Sequence, residues 1–340
     1  MSIALYSPVK DTSSFTEMGF YVEDLKALRQ INGRTIATNS IKDLIKANPK
    51  QLLAYIYGQS LIAAILIKLR GGSVIFTGGT DQISSEVYSG TALMRNRTFA
   101  IGCALVARYI LVPSSADKME LHNILPRWQR LQRKIIVQPH SVNVPSDRVS
   151  NRVFDKNRIS AISICWLGNE ANPKRKGLDR AIKLISVLNE NGIPASLTVV
   201  GGGEAGRAYL AELALSLHVS EHIHFTGLVS EERKFEYLKT HDYYLQLSRY
   251  EGFGVAAAEA LFAGLVVVHS NNGGLSDSIG ESGVVIDCSE LDEDPMGNGF
   301  LFEFMKRLES SERNELQILD RERKFSRSER IRAFRDCGFH

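Results

Sequence analysis

The feature that most constrains this chain is an alternation. Short apolar runs of strand type are separated by segments of helical period, and the pattern stops once, in a polar stretch, before restarting. In the first block Ile3–Ser7 reads as a strand, Val22–Ile31 as a helix, and Thr35–Thr38, Val74–Thr77, Tyr109–Pro113 and Ile135–Gln138 as further strands. The polar stretch Val142–Arg158, with Pro145, Ser146 and Asn151, reads as a linker. In the second block Ile162–Trp166, Leu197–Val200, Ile223–Phe225, Tyr243–Leu247 and Val266–His269 read as strands, with helices over Leu178–Asn189 and Tyr209–Leu217 and from Val255.

Alternation of this kind belongs to parallel sheets with helices on both faces. The expected fold is α/β: two Rossmann-like doubly wound domains facing a cleft, over residues 1–147 and 158–320, with a basic tail or helix over 321–340 that can cross back. The 340 residues suffice for two cores of ordinary size. Ligands of such sheets bind at the carboxyl ends of strands, so a site in the cleft is expected.

Several classes fall away. Cys103, Cys165, Cys288 and Cys337 are far apart in sequence and form no CxxC or Cys/His cluster, which speaks against a disulfide scaffold or zinc site and for a reducing, cytoplasmic setting. The opening SIALYSPVKD lacks the pattern of a secretory signal. Of the formal charge of +3, residues 321–340 carry +4, seven Lys/Arg against three acids, so there is no broad basic field for nucleic acid. That tail reads as a solvated helix lying over the protein, with an anionic membrane surface as the competing partner. The apolar stretch Leu52–Leu69, broken by Gly58-Gln59-Ser60 and carrying Lys68, reads as a buried helix rather than a membrane span. Residues 126–134 place Arg127, Arg130 and Lys134 on one helical face and Trp128, Leu131 and Ile135 on another; peripheral membrane contact and ordinary packing on a sheet are equally compatible with that pattern. Asp292-Glu293-Asp294 reads as a solvated loop rather than a metal motif, and His140 as structural. No metal site and no resident cofactor are expected.

The chemistry concentrates in glycine-rich turns. Gly201-Gly202-Gly203-Glu204-Ala205-Gly206 fits GxGxxG after a strand, but the next strand ends in Thr226-Gly227 without the acid that a dinucleotide site wants for the ribose. A tight turn that admits another ligand is the better reading. The decisive segment is Leu247–Gly264, LSRYEGFGVAAAEALFAG. Gly252 and Gly254 let backbone N–H groups approach a ligand. The helix from Val255 brings its positive end to the same place, which suits a diphosphate. Glu251 and Glu259 lie on either side of that helix start, and a carboxylate can bridge two sugar hydroxyls. Glu259 is flanked by Ala258, Ala260 and Leu261, which argues against a solvated face.

From about Arg158 to Ser328 the sequence resembles the donor half of the retaining GT-B glycosyltransferases of glycosyltransferase family 4 (glycosyl transferases group 1). The residues that carry the resemblance are Lys176-Gly177, the VVGGGE turn at 199–204, HFTGLVSEE at 224–232, SRYEGFGVAAAEALFAG at 248–264, Asn272-Gly273-Gly274 through Asp277, and Phe325-Ser326. The resemblance implies a nucleoside-diphosphate sugar as donor and substrate, a saccharide or lipid-linked saccharide acceptor bound by the N-terminal domain, and retention of anomeric configuration without a metal. It implies that Glu251 holds the transferred sugar, Glu259 the ribose, and the amides of Phe253, Gly254, Val255 and Ala256 the sugar and phosphate. The turn from Gly227 through Leu228 and Val229 would lie near the base, with Gly203 in the donor turn. Lys176 and Arg175 are the candidate cations for the leaving diphosphate. Gly78-Gly79-Thr80-Asp81, after the strand VIFT, holds no histidine, and Asn169 follows Gly168 where many members place an arginine; Arg175 or Lys174 is the candidate replacement. Surface polysaccharide synthesis is the implied setting. A nucleotide-sugar epimerase of this fold and a non-catalytic GT-B partner subunit are the other readings.

Overall fold

A computed structural model of the chain describes residues 2–56, 58–85, 87–125, 128–144, 158–293, 298–310 and 314–340. The chain divides into two compact units, Met1–Asn143 with Arg321–His340, and Val144–Asp320.

In the first unit the order is β1 (Ile3–Tyr6), α1 (Ser14–Glu17), α2 (Gly19–Ile31), β2 (Ile36–Thr38), α3 (Ile41–Ala47), β3 (Gln51–Tyr55) and α4 (Ser60–Leu69). There follow β4 (Ser73–Thr77), α5 (Gly90–Val106), β5 (Tyr109–Val112), α6 (Ser115–Ile124), α7 (Gln129–Gln132) and β6 (Ile135–Val137). The second unit continues with β7 (Ile159–Ile164), α8 (Ala171–Arg175), α9 (Leu178–Glu190), β8 (Ala195–Val200), α10 (Glu204–Ser216), β9 (Ile223–Gly227) and α11 (Glu231–Thr240). It then runs through β10 (Tyr243–Gln246), α12 (Val255–Ala263), β11 (Val266–His269), α13 (Leu275–Ser278), β12 (Val284–Val285), α14 (Ser289–Glu293) and α15 (Asn298–Ser310). α16 (Glu315–Lys324) leads out of it, and α17 (Arg327–Asp336) belongs to the first unit.

Each unit holds one six-stranded sheet, ordered β2-β1-β3-β4-β5-β6 and β12-β11-β10-β7-β8-β9, with all strand pairs parallel. This is the two-sheet α/β architecture expected. Strands such as IALY and QLLAY are buried along their whole length because helices cover both faces. Alternate residues go to opposite cores: Ala4, Tyr6, Leu52 and Ala54 face one, and Ile3, Leu5, Leu53 and Tyr55 face the other.

Three sequence expectations are corrected. The apolar stretch 52–69 is not one helix. Its first residues complete β3, Gly58 lies in the turn, and only Ser60–Leu69 is helical, with Ile62, Ile65 and Leu69 exposed. Continuous hydrophobicity suits a buried parallel strand as well as a helix, and period alone does not separate the two. The helix expected over 126–134 is a single turn, Gln129–Gln132. Lys134 is directed onto the carbonyls of Ala104 at 3.1 Å and Ala107 at 2.7 Å, at the end of α5, where a cation is favoured by the helix dipole. Pro126 and Arg127 lie outside the described residues, as do residues 145–157 of the expected linker.

The third correction concerns the tail, which is not simply solvated. α17 packs on α2, with Phe334 and Phe339 in the core that Ile3, Leu5 and Tyr55 line. Arg330 is wholly buried. Its Nε and Nη2 each donate to Asp24 at 2.8 Å, Nη2 also to Thr77 Oγ1 at 2.7 Å, and Nη1 to the Gln138 carbonyl at 3.2 Å. Charge counting along the sequence cannot distinguish one interior arginine from its six exposed or half-exposed basic neighbours.

Candidate functional site

In the second sheet the chain winds from β7 toward β8 on one side and from β10 toward β11 on the other. The switch point, where ligands of open α/β sheets bind, therefore lies at the carboxyl ends of β7 and β10. Two loops meet there: Cys165–Gly177 after β7 and Leu247–Gly254 after β10. They are joined by one backbone bond, Arg249 N donating to Arg175 O at 2.8 Å, and by the Arg175 side chain, whose Nη1 donates to Tyr250 O at 3.2 Å. Gly177 adopts φ +71°, and a Cβ there would strike the Leu247 carbonyl, so a glycine is required for this approach.

Glu251 is buried, and its Oε2 accepts from Lys176 Nζ and, at 3.3 Å, from Gln246 Nε2. Gln246 is oriented in turn by Tyr244, whose hydroxyl donates to Oε1 at 3.1 Å. Burial pushes the Glu251 carboxyl upward, but Lys176 and then Arg175 outweigh it, and the group is held below the usual carboxylate range. It is therefore ionised at neutral pH. The turn that carries it is clamped from below: Gly274 N donates to Glu251 O at 2.7 Å, and side chains at Gly273 and Gly274 would strike the Glu251 and Gly252 backbone.

Gly254, at φ +86°, caps α12, and Val255 and Ala256 are half-buried at its start. Glu259 lies about one turn in, 3% exposed, with Oε2 accepting from Lys234 Nζ at 2.8 Å. Lys234 also donates to Glu231 at 2.9 Å. Burial lowers the Lys234 ammonium, yet Glu259 and then Glu231 outweigh it and raise it, so the lysine is charged. The structure thus brings Glu251, Lys176, Arg175, Gly252, Phe253, Gly254, Val255, Ala256 and Glu259 to one strand-end region. Two buried carboxylates flank a helix N-terminus, each hydrogen-bonded to a lysine.

Gly227 ends β9, the edge strand three places from β10, and Leu228 and Val229 follow it. At ~4.8 Å per strand this is about 14 Å away. Leu228 is exposed. The VVGGGE turn departs from expectation in one respect. What approaches its glycines is the chain's own backbone: side chains at Gly201 and Gly203 would strike Cys165 and Leu167.

Sequence reasoning missed Lys234, Gln246 and Arg249. Lys234 stands in SEERKF as one charge among several on α11; its burial depends on how α11 meets α12, which no local spacing encodes. Asp292, expected in a solvated loop, ends a helix and bridges two arginines, accepting from Arg180 Nη2 at 2.5 Å and Arg249 Nη2 at 2.8 Å. Arg249 also donates to Asp179 at 2.9 Å. Asp294 lies outside the described residues. No group of three or more His, Cys, Asp or Glu side chains suited to a metal occurs among the described residues.

The first sheet has its own switch point, between β1 and β3. A groove of about 640 Å³ opens there, lined by Pro8 and Val9 after β1, Gly58 and Gln59 after β3, and Arg95 and Phe99 of α5. His140 is buried in this unit, its ring 5.7 Å from that of Phe20, consistent with a structural residue.

Two parallel sheets of this order define the GT-B architecture. HepE of Anabaena in complex with UDP-glucose superposes with a TM-score of 0.68 at 14% identity, over 99% of both chains, a likeness of fold. Residues 170–296, the region that holds the carboxylates and both lysines, match the family described as Glycosyl transferases group 1, and the fold of the chain is of the GT-B type. An uncharacterized glycosyltransferase of Methanocaldococcus jannaschii is 34% identical over 105 residues, 31% of this chain and 26% of the relative. The GDP-mannose-dependent alpha-(1-6)-phosphatidylinositol monomannoside mannosyltransferase of Mycolicibacterium smegmatis is 30% identical over 128 residues, 35% of this chain and 33% of the relative. The matches thus span about a quarter to a third of these curated relatives.

Proposed function

We propose that this protein is a glycosyltransferase that takes a sugar from a nucleoside-diphosphate donor. The observation that carries the reading is the pair of buried carboxylates, Glu251 and Glu259, each held by a lysine on either side of the α12 N-terminus. Ionised carboxylates accept from sugar and ribose hydroxyls. The amides at the start of α12 suit the diphosphate between them. Gly227–Val229, about 14 Å along the sheet, leaves the base its own end.

The reaction needs the developing charge on the leaving diphosphate to be met by positive groups more strongly in the transition state than before it. Lys176 and Arg175 are the candidates. Lys176 is paired with Glu251 before donor arrives, so a sugar hydroxyl donating to Glu251 would release the ammonium toward phosphate. Transfer with retention, through attack on the leaving group's own face with a phosphate oxygen taking the acceptor's proton, asks for no protein base. The acceptor is a saccharide or lipid-linked saccharide taken up by the groove of the first unit, and surface polysaccharide synthesis is the setting that fits.

The test is calorimetric titration with nucleoside diphosphates and their sugars, starting with GDP-mannose and UDP-glucose because the mycobacterial relative is named for the first and the HepE structure holds the second. Product analysis follows. Donor binding that depends on Glu259, with transfer that depends on Glu251, supports the reading. Conversion of donor without acceptor would indicate an epimerase, and binding without turnover a non-catalytic subunit. The product's anomeric configuration by NMR decides retention. Activity lost with EDTA and restored by Mg²⁺ would overturn the metal-free mechanism.

A further inference from the structure

Two large apolar side chains stand exposed at the strand ends of the second sheet, where the sugar and diphosphate do not account for them. Trp166, shortly after β7, is 59% exposed, and Leu228, directly after β9, is 82% exposed. Single exposed apolar residues are ordinary. These two, however, border one and the same turn. The Trp166 ring lies against the backbone of Gly168, where a Cβ would strike the indole. Gly168 in turn abuts Gly203, at which a Cβ would strike the Leu167 carbonyl and the Gly168 nitrogen. On the other side of the turn, a Cβ at Gly202 would meet the Leu228 Cβ at 3.2 Å. Between the tryptophan and the leucine run Gly201, Gly202 and Gly203, which offer no side chain.

The tryptophan side is fixed by hydrogen bonds. Asn172 Nδ2 donates to the Trp166 carbonyl at 2.6 Å, and Arg175 Nη2 donates to Asn172 Oδ1 at 2.8 Å. Leu167 N donates to Gly202 O at 2.8 Å and Gly206 N to Leu167 O at 2.8 Å, which ties the exit of β7 to the turn after β8. Burial pushes the Cys165 thiol up to about 11, and Lys176, Arg175 and Glu251 act on it in turn, so the residue before Trp166 lies within reach of the charged end of the site. β7 has β10 on one flank and β8 on the other. The ring rests on backbone that abuts the β8 turn, on the flank away from the loop of Glu251.

We propose that Trp166 and Leu228 flank the nucleobase of the donor, the indole stacking on one of its faces, with the glycine turn beneath it. This rests on the nucleotide-sugar reading of the site. A base is flat and apolar on both faces, so an indole and a leucine suit the faces and leave the polar edge to backbone groups. The sugar of an acceptor has to meet the reacting carbon near Glu251, on the β10 flank, whereas the ring stands toward the end of the sheet where Leu228 and Val229 follow β9. Stacking tolerates any base because every base has a π-face. The fused rings of a purine overlap an indole more than the single ring of a pyrimidine does. The pair therefore adds affinity for nucleoside diphosphates in general and more for a purine one.

The test uses the full chain and reads binding without turnover. Trp128 and Trp166 are the two tryptophans, so Trp128→Phe leaves the emission of Trp166 alone to be followed. GDP and UDP are expected to quench it, and ribose 5-phosphate and inorganic pyrophosphate are not. In calorimetry Trp166→Ala should weaken GDP and UDP about tenfold to a hundredfold, the loss typical of one stacked base, with GDP losing more. Its affinity for pyrophosphate and its melting temperature should stay as in wild type. Trp166→Phe should restore most of the loss, which a merely structural role would not predict, and Leu228→Ala should weaken both nucleotides to a smaller degree. A Trp166→Ala variant that binds GDP and UDP like wild type overturns the inference and leaves the donor reading standing, since Glu259→Ala would still weaken both. Wild type that binds no nucleoside diphosphate overturns the two together. Quenching by saccharides and not by nucleotides would assign the ring to the acceptor instead.

Discussion

Each unit contains a buried carboxylate paired with a cation, and the two pairs are built differently. Asp24 in the first unit meets Arg330, a planar fork whose donors go to both carboxylate oxygens, a hydroxyl and a carbonyl, while Tyr55 donates to Asp24 Oδ2 at 2.8 Å. Glu251 in the second unit meets Lys176, a point charge on a flexible stem with one side-chain hydrogen bond and a side chain 21% exposed. A guanidinium locked on all sides has nowhere else to go. An ammonium held by one carboxylate can change partner when a ligand offers another anion. The first arrangement suits structure and the second suits a site, although both are buried ion pairs.

The largest effect should come from breaking the closed pair. Arg330→Ala leaves Asp24 buried and unpaired, which typically costs about 3–5 kcal/mol. The first unit's melting transition should fall by roughly 10 °C. Arg330→Met combined with Asp24→Leu should recover most of the loss, because exchanging a buried pair for apolar groups is often close to neutral. If the double variant is no better than the single one, the network organises more than its own charges. The open pair should behave in the opposite way. Glu251→Gln should lower turnover on the order of 10²–10³-fold, as loss of one preorganised contact does, with little change in melting temperature. A large drop in stability would erase the contrast.

His140 sharpens the comparison through pH. Burial first, then Arg330, holds its imidazole down to about 4, with Asp24 opposing. The folded state keeps it neutral while the unfolded chain takes up a proton below about 6.5, so its contribution is lost progressively as pH falls from there toward 4, about 3 kcal/mol in all. Denaturant titrations from pH 7 to 4.5 should show a steeper loss for wild type than for His140→Gln. The smallest effect concerns the other lysine. Ser230 Oγ accepts from Arg233 N at 3.2 Å at the start of α11, the helix that carries Lys234. Ser230→Ala should cost about 1 kcal/mol. If it also weakens nucleotide binding, the Lys234–Glu259 pair is positioned by that cap.

Much of the fold was legible because strand–helix alternation is a local pattern. Val266–His269 falls where the sequence indicates, and α12 begins at Val255 as read. β3 was missed because Gln51–Tyr55 is continuous in hydrophobicity with α4. The carboxylates were legible because Glu251 and Glu259 stand out in an otherwise apolar, glycine-containing segment. Their partners were not equally so. Lys176 adjoins an informative glycine, whereas Lys234 is one of several charges in SEERK and is chosen by the packing of two helices. Arg330 was the least legible: 306 residues separate it from Asp24.

That separation has a consequence for synthesis. The core between β1, β3, α2 and α17 contains Phe334 and Phe339, so the face of the first sheet that they cover stays open to solvent while the second unit is being made. On the ribosome, domains ordinarily complete themselves in the order in which they emerge. Here the later unit can close first and the earlier one last, leaving Asp24 and the apolar side chains around it available to chaperones, or to the wrong partner, until the final turn of α17 arrives.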